Sequence, residues 1–367
     1  MTDVVICDST ERSPELRHEL PIGITDPFLY VERDGVRHVV IGSLEIPRVE
    51  ELGGLELHTP EEYGGDELVR SGLSREAMWL EVFARACTAL GVVRAAVPAA
   101  FPLLVADRLR AEGVELEPQH ELFDLRRRSK TPAELLGIRR AQAAAEAGMA
   151  AAAEVLGRGG PLTSEEVKAA IDAAFMANGC SCDEFIVSHG AQSAIGHHMG
   201  AGPILPGEPV VIDIWPRDRE SACFADMTRT FCVGEPTAEL VEWQRLVKEA
   251  LDNSIAAIRP GVDGRAVFDA ACEVFEAAGY ATQRTKEPGS VLDQGFFHGL
   301  GHGVGLQVHE APGMGLAGHD VLQAGDVVTV EPGLYRPGTG GCRLEDLVLV
   351  TEDGVENLTR FPYDLAL

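Results

Sequence analysis

Four carboxylates and one imidazole in the C-terminal two-thirds of the chain are of the types that bind a pair of metal ions. They are Asp213, Asp226, His302, Glu331 and Glu345. Oxygen ligands with a single nitrogen suit manganese, iron(II), cobalt or zinc better than a metal that prefers thiolates. Five ligands exceed what one tetrahedral ion needs, but they suffice for two ions if two carboxylates bridge. Two ions about 3.5–4 Å apart can hold a hydroxide and clamp a substrate oxygen, so the set predicts hydrolysis.

The first two ligands lie in apolar segments that we predict to be neighbouring strands. Pro209–Trp215 contains Asp213, Ala225–Phe231 contains Asp226, and a polar hairpin tip separates the segments. Two carboxylates that face each other across a hairpin repel unless cations lie between them. A single aspartate in a strand is often structural, so the prediction of metal ligands depends on the pair.

Three histidines, His298, His302 and His309, lie within twelve residues that also contain four glycines. The i, i+4 spacing of the first two is typical of a helical ligand pair, but the glycines disfavour a helix. We therefore predict an extended, glycine-bent strand whose backbone passes close to another group. In a regular strand His302 and His309 would face opposite sides. We expect a bulge that brings both to one pocket.

The last two predicted ligands are also carboxylates in apolar segments. Glu331 is predicted at the end of one apolar strand, and Glu345 inside the next. Burying a carboxylate is costly unless a cation compensates it. Arg343 lies two residues before Glu345, hence on the same face, and can orient a carboxylate through two hydrogen bonds. A plain ion pair between Arg343 and Glu345, with no metal, is the alternative. Asp346 faces the other way and is expected to be structural.

The elements that carry these residues are predicted to form two similar halves. Thr131, with Pro132 and Glu134, is predicted to begin a long helix that ends near Leu156. A helix over 163–179 follows it, and helices over 238–258 and 263–279 repeat the arrangement. The two aspartates fall in the first half and the other three ligands in the second. We expect the site in the cleft where the halves meet.

The N-terminal part is predicted to be a separate, smaller α/β domain, because 367 residues favour two domains. Its predicted elements are a strand pair around Asp34–Gly35 and helices over 66–90 and 101–112. The basic segment Arg126–Lys130 is predicted to be a polar hinge, which places the domain boundary near residue 128.

Charge and composition exclude several classes of partner. The chain has 31 basic and 58 acidic side chains, a formal net charge of −27. Such a surface repels nucleic acid and anionic membranes. The longest apolar run, residues 95–106, is interrupted by prolines and is too short to span a bilayer. The N terminus lacks the pattern of a signal peptide, and the eight scattered cysteines are expected to be reduced thiols. We expect a cytoplasmic protein.

From about residue 126 to the C terminus, the sequence resembles the pita-bread metallopeptidases. The branch is that of Xaa-Pro aminopeptidase (aminopeptidase P) and Xaa-Pro dipeptidase (prolidase). His298–His309, Thr329–Tyr335 and Gly341–Asp346 carry the resemblance. It implies an α/β (α+β) fold, with a creatinase-type N-terminal α/β domain over 1–128 and a pita-bread catalytic domain with an internal pseudo-repeat over 129–367. The N-terminal part resembles its counterpart only in size and position.

The resemblance also implies a role for each ligand. Asp213 would chelate one ion, and Asp226 and Glu345 would bridge both. His302 and Glu331 would complete the second ion, with Glu331 also acting as general base to a bridging hydroxide, the nucleophile. Manganese is the expected metal, with cobalt, zinc or iron as alternatives. A proline-containing peptide is the implied substrate, and a homodimer is the implied assembly.

The resemblance assigns further residues to the substrate. His298 and His309 would hold the scissile carbonyl and the proline side, His197 matches the family's substrate histidine, and Arg343 would support the ligands. His198 is the second choice for the position of His197. Three departures surround the first ligand: Gly196 replaces a usual proline, Trp215 replaces a usual glycine, and the hairpin between the two aspartates is two residues longer.

Several functions stay open. The sequence leans slightly towards a dipeptidase over an aminopeptidase without deciding between them. A creatinase-like C–N hydrolase that works without metals, and a non-catalytic binding module, are alternatives on the same fold. Both predict lost ligands, whereas all five are present here. A methionine aminopeptidase is disfavoured by the additional N-terminal domain.

Overall fold

The computed structural model describes residues 2–367. These residues divide into two compact units, one ending at Arg127 and the other beginning at Arg128. That the first unit is a creatinase-type domain stays a prediction.

The first unit contains one six-stranded sheet and six α-helices among its described residues. The elements in chain order are β1 (Asp3–Asp8), α1 (Pro14–Glu19), β2 (Phe28–Arg33), β3 (Val36–Val40), α2 (Ile46–Glu50), β4 (Glu56–His58), α3 (Gly65–Arg70), α4 (Arg75–Ala89), β5 (Arg94–Val97), α5 (Leu103–Ala111), β6 (Glu115–Pro118) and α6 (His120–Arg128). The strand order is β4-β3-β2-β1-β5-β6. Helices cover both faces of the sheet: Val5 and Cys7 of β1 enter one core, and Val4 and Ile6 enter the other, as the twofold alternation of a strand requires.

The sequence predicted some, but not all, of the turns and helix boundaries in this unit. The hairpin at Asp34–Gly35 is confirmed, and both residues have positive φ, 50° and 79°, as a two-residue turn of this type needs. The single helix predicted over 66–90 is wrong. It is two helices, α3 and α4, because the Ser74 side chain accepts a hydrogen bond from the Ala77 N–H and begins a new helix. The predicted hinge is also wrong in part, since Arg126–Arg128 are the last residues of α6.

The second unit begins with the predicted long helix. The capping box is confirmed, because Thr131 Oγ1 accepts from Glu134 N at 3.2 Å and Glu134 Oε2 accepts from Thr131 N at 2.7 Å. The four long helices are α7 (Pro132–Gly157), α8 (Ser164–Ala177), α9 (Ala238–Ala257) and α10 (Gly264–Ala277). They therefore form two consecutive pairs, as the predicted repeat requires.

The strands of this unit form two main sheets. The strands in chain order are β7 (Leu162–Thr163), β8 (Cys180–Ser181), β9 (Ile186–His189), β10 (Pro203–Ile204), β11 (Pro209–Ile214), β12 (Arg217–Asp218), β13 (Met227–Cys232), β14 (Gly301–Gly303), β15 (Glu310–Met314), β16 (Val327–Val330), β17 (Gly333–Arg336), β18 (Gly340–Arg343), β19 (Asp346–Val350) and β20 (Val355–Asn357). One sheet has the order β13-β11-β9 and the other β15-β14-β16-β19-β20, with β17 and β18 as a separate pair.

The core shows how the halves join. Helices α7 and α8 pack with β11 and β13 in one hydrophobic cluster, and α9 and α10 pack in another. Strand β16 contributes Val327 to the first cluster and Val328 to the second. Because neighbouring residues of a strand point to opposite faces, this strand is buried on both sides between the halves. Among residues 2–367, no α-helix combines the length and apolarity needed to cross a membrane.

Candidate metal centre

The strands of the two halves bring the predicted ligands to one place. Asp213 lies on β11 and pairs with Thr228 of β13. Asp226 lies just before that strand, two residues from Thr228, so it shares the face of Asp213 as its diagonal neighbour. His302 is the central residue of β14, and Glu331 follows β16 directly.

The predicted strand position of Glu345 is wrong. Glu345 occupies the short link between β18 and β19. Its N–H donates to the Thr228 carbonyl at 3.0 Å, and its Oε2 accepts from Thr228 Oγ1 at 2.7 Å. The link is therefore fixed to β13 of the other half. Sequence reasoning missed Thr228, although its spacing of two from Asp226 placed it on the same face.

Three of the five predicted ligands form a tight cluster. One ligand atom each from Asp226, His302 and Glu345 lies within 4.8 Å of the others. His302 Nε2 is 3.8 Å from Asp226 Oδ2 and 3.6 Å from Glu331 Oε1. Asp213 and Glu331 line the same cavity, of about 810 Å³, but lie outside the tight cluster. The geometry thus gathers all five residues while separating them into a compact core and two flanking carboxylates.

The electrostatics of these carboxylates fit a cation site. Burial, and then repulsion from the neighbouring carboxylates, raises the pKa of Asp226 and Glu345 well above the ordinary values. Burial raises the pKa of Glu331 to about 8. Asp226 Oδ1 is buried without a hydrogen-bond partner among residues 2–367. Buried anionic oxygens are costly unless cations compensate them, so the residues present fit a site for divalent metal ions.

The state of His302 also suits a ligand. Burial, followed by the nearby His309, lowers its pKa to about 4. Its Nδ1 lies 3.1 Å from the Gly303 carbonyl, which can only accept, so we infer that Nδ1 carries the proton. The lone pair of Nε2 then faces the carboxylates, which is the tautomer a metal ligand needs.

Arg343 has a different partner from the one its spacing suggested. Its Nη2 donates to Asp213 Oδ2 at 2.5 Å, and Nη1 and Nε donate to Tyr335 OH and Thr228 Oγ1 at 2.8 and 3.3 Å. The predicted bidentate geometry is wrong, because one carboxylate oxygen of Asp213 receives a single bond. The alternative ion pair with Glu345 is not formed. Asp346 is structural as expected, and pairs with Arg229 at 3.0 Å.

The remaining predicted histidines line the cavity. His197, His298 and His309 all border it, whereas the Nδ1 of His198 accepts the Gly200 N–H at 3.0 Å. Burial lowers the pKa of His298 to about 3, and partial desolvation of the ring lowers the pKa of His309, although that residue is exposed as a whole. His298 and His309 are therefore uncharged near neutral pH. Tyr335 OH lies 2.9 Å from His298 Nε2, a partner that sequence reasoning missed.

The glycine-rich segment is only partly extended. The predicted bulge is confirmed, since the pairing register shifts between His302 and Gly303. The rings of His302 and His309 meet edge to face, with centroids 4.2 Å apart. The predicted long strand is wrong, because β14 ends at Gly303 and the chain bends over residues 305–309. Two of the sequence departures, Gly196 and Trp215, border the cavity.

The family follows from the sequence. Residues 137–352, more than half of the chain, match the model of metallopeptidase family M24. The chain belongs to metallopeptidase family M24. This M24 chain is 34% identical over 239 residues to an Xaa-Pro dipeptidase from Pyrococcus furiosus. That match covers 64% of this chain and 64% of the relative, less than two thirds of the relative's length.

Solved M24-like structures share the fold. An Xaa-Pro dipeptidase from Bacillus anthracis superposes with a TM-score of 0.83 at 24% identity, covering 100% of this chain and 95% of the other. Dipeptidase PepE from Mycobacterium ulcerans gives 0.78 at 27% identity, covering 100% and 93%. The predicted α/β (α+β) pita-bread fold is confirmed. Membership of M24 implies divalent metal ions.

Proposed function

We propose that the chain is a metallopeptidase that hydrolyses the bond before proline. The main support is the cluster of Asp226, His302 and Glu345, together with Asp213 and Glu331, which line the same cavity. Uncharged histidines line the same cavity. Relatives named Xaa-Pro dipeptidase and probable dipeptidase PepE support the substrate class. The retained ligand set argues against a metal-independent hydrolase or a binding module on this fold.

Each ligand has a defined role in the proposal. Asp213, Asp226, His302, Glu331 and Glu345 would hold two divalent ions, with Asp226 and Glu345 shared between them. Bound ions lower the pKa of water and polarise a carbonyl oxygen. Manganese is proposed first, because carboxylate ligands dominate the set.

Glu331 is the proposed general base. Its carboxylate lies beside the ligand cluster, where it can accept a proton from water and pass it on. The nitrogen of proline leaves poorly unless it is protonated, so one group must move a proton from water to that nitrogen. Glu331 Oε1 lies 3.6 Å from His302 Nε2, at the edge of the ligand cluster. We propose that from this position it exchanges a proton with both the water and the proline nitrogen.

His197 and His309 are proposed to bind the substrate, whereas both ring nitrogens of His298 already have partners. A neutral imidazole can donate to a carbonyl oxygen without adding charge to the site. Tyr335 OH can donate to His298 Nε2 because the other ring nitrogen lies 2.7 Å from the Gly299 carbonyl. His298 is therefore held rigidly, whereas His197 and His309 remain available to the substrate.

The proposed enzyme could cleave dipeptides or the N termini of longer peptides. The names of the relatives favour dipeptides. The charge of the cavity lining favours longer peptides. Among the described lining residues Arg343 is the one arginine, and there is no lysine. Arg343 already donates a hydrogen bond to Asp213. A dipeptide carries a carboxylate beside the scissile bond, and burying it without a cation is costly.

The deciding experiment is a metal-titrated assay on Ala-Pro and Ala-Pro-Ala, with Glu331→Gln as control. Cleavage of the dipeptide alone means a dipeptidase, and cleavage of the tripeptide alone means an aminopeptidase. A preparation that binds two metals per chain and cleaves neither peptide would overturn the proposed function. The proposed homodimer is checked separately by light scattering, where a monomer would contradict it.

A further inference from the structure

One buried ion pair lies outside the proposed ligand set. The Lys130 ammonium and the Glu310 carboxylate are in contact, and each side chain is only 2% exposed. Neither residue lines the cavity. Two buried charges are expensive to desolvate, and removing one partner leaves the other uncompensated. A pair held at this cost is a candidate for a specific structural task.

The pair lies where it can shape the segment that carries His309. Glu310 follows His309 directly and is the first residue of β15, whereas Lys130 immediately precedes the N-cap of α7. The Glu310 Oε2 also accepts from the Gln307 N–H at 3.3 Å. The carboxylate therefore joins the start of α7 to the backbone of the bend that precedes His309.

The bend is packed tightly around the pair. A Cβ added to Gly305 would lie 2.5 Å from Glu310 Oε1 and 2.6 Å from Lys130 Nζ. A side chain at residue 305 would therefore have to displace the ends of both charged side chains. The Gly305 carbonyl accepts the Phe224 N–H at 2.8 Å, and Phe224 lies two residues before Asp226. This backbone hydrogen bond holds the bend to the segment before Asp226 without using either side chain of the pair.

The strand pairing of Glu310 with Gly303 holds the backbone beside His309, but the ring of His309 has few contacts of its own. The residue is exposed, and no hydrogen bond to its ring is found among residues 2–367. Its described ring contact is with His302, at 4.2 Å between centroids. The position of the imidazole consequently depends on where the backbone at residue 309 is held.

We propose that Lys130 and Glu310 are positioning residues that hold His309 in the active site. The inference rests on the proposed function, because it assigns the pair to a histidine that would contact the substrate. The pair acts through His309 and not through the metals, so its loss weakens catalysis while the ligands keep their ions. A displacement of a catalytic group by about 1 Å can cost up to about 100-fold in rate.

The test is a double-mutant cycle that asks whether the loss of the ion pair acts through His309. Lys130→Met together with Glu310→Gln removes both charges of the pair while nearly keeping the volume of each side chain. The double change is made in the wild type and in His309→Ala. We expect kcat/KM to fall by about 10- to 100-fold in the first background and by less than about twofold in the second, with two metals still bound in both.

A matched control comes from another buried pair of the same unit. Arg128 and Asp326 are 7% and 1% exposed and lie 2.6 Å apart, with no residue in the cavity lining. Arg128→Met with Asp326→Asn should affect stability but change kcat/KM equally in both backgrounds. An equal loss for the Lys130 and Glu310 change in both backgrounds, or no loss in the wild type, would overturn the proposal.

A second readout separates this proposal from the proposed function. The ring resonances of His309, assigned by comparison with His309→Ala, should shift or broaden in the Lys130 and Glu310 double variant. They should stay unchanged in the Arg128 and Asp326 control. If the wild type cleaves no Xaa-Pro peptide, the proposed function fails, and the resonances alone then decide whether the pair positions His309. Unchanged resonances would contradict the positioning role.

Discussion

Asp213 Oδ2 lies 2.5 Å from Nη2 of Arg343, and the same guanidinium donates to Tyr335 OH and Thr228 Oγ1. Thr228 in turn donates to Glu345 Oε2 at 2.7 Å. One arginine therefore connects carboxylates from both halves of the second unit. Its three contacts use the fixed fork of a guanidinium, which an ammonium cannot reproduce.

Arg343→Lys should loosen the proposed metal site. We expect the affinity for manganese to fall by about 10- to 100-fold, as for other groups that orient metal ligands, because lysine cannot reach all three acceptors. Calorimetric titration of the protein with manganese measures this. Tyr335→Phe is the control, since it removes one acceptor and leaves the contact with Asp213 intact. Equal manganese affinity in Arg343→Lys and the wild type would contradict the prediction.

Glu331→Gln tests the proposed proton transfer. The amide keeps the shape of the side chain but cannot take a proton, so kcat should fall by at least about 100-fold on the peptide that the wild type cleaves. Assays at saturating manganese, with bound metal counted in the same samples, separate this from metal loss. Glu345→Gln is expected to lose bound metal as well as activity. A Glu331→Gln variant with full metal content and near-normal kcat would exclude Glu331 as the base.

Trp215 should restrict the residue that precedes proline. The half-buried indole borders the cavity together with Ile186 and Met199, at a position where the sequence departs from the family pattern. Trp215→Ala should raise kcat/KM for Phe-Pro-Ala relative to Ala-Pro-Ala, because it opens space for a larger side chain. The ratio of the two rates is the measurement, since lowered stability affects both alike. Trp79→Ala, a change in the first unit at a residue that is not part of the cavity lining, should leave the ratio unchanged.

Features that depend on nearby residues were predictable from the sequence. The capping boxes at Thr131 and Thr163 involve residues three apart, and their geometry is set within one helical turn. The five ligand types are also visible in the sequence, because hard, oxygen-rich sets are rare in apolar strands. Their chemistry could therefore be proposed before any contact was known.

Contacts between distant parts of the chain were not predictable in the same way. Arg343 lies 130 residues from Asp213, and Lys130 lies 180 residues from Glu310. The packing of the two halves decides which of these residues come into contact. The periodicity of the sequence gives no information on that packing. The position of Glu345 was misjudged for a related reason. The apolar pattern continues through residues 341–350, but the chain leaves one strand pair and joins another sheet at that residue.

The buried carboxyls predict how stability depends on pH when metal is removed. A carboxyl whose pKa is raised in the folded state binds its proton more tightly there, so its contribution is complete below about pH 4 and is lost as pH rises through the folded pKa. For Glu331 that pKa is about 8. His302 has the opposite sign, but its pKa of about 4 places its effect below about pH 6.5.

Between pH 7 and pH 9 the free energy of unfolding of chelator-treated protein should therefore fall. A single carboxyl with a pKa near 8 contributes a decrease of about 1.4 kcal/mol over this range. Urea unfolding at both pH values, with Glu331→Gln as the control that lacks this group, measures the difference. Saturating manganese should remove it, because the cation takes the place of the proton. Identical pH dependence in the wild type and Glu331→Gln would show that the Glu331 carboxyl is already ionised at pH 7.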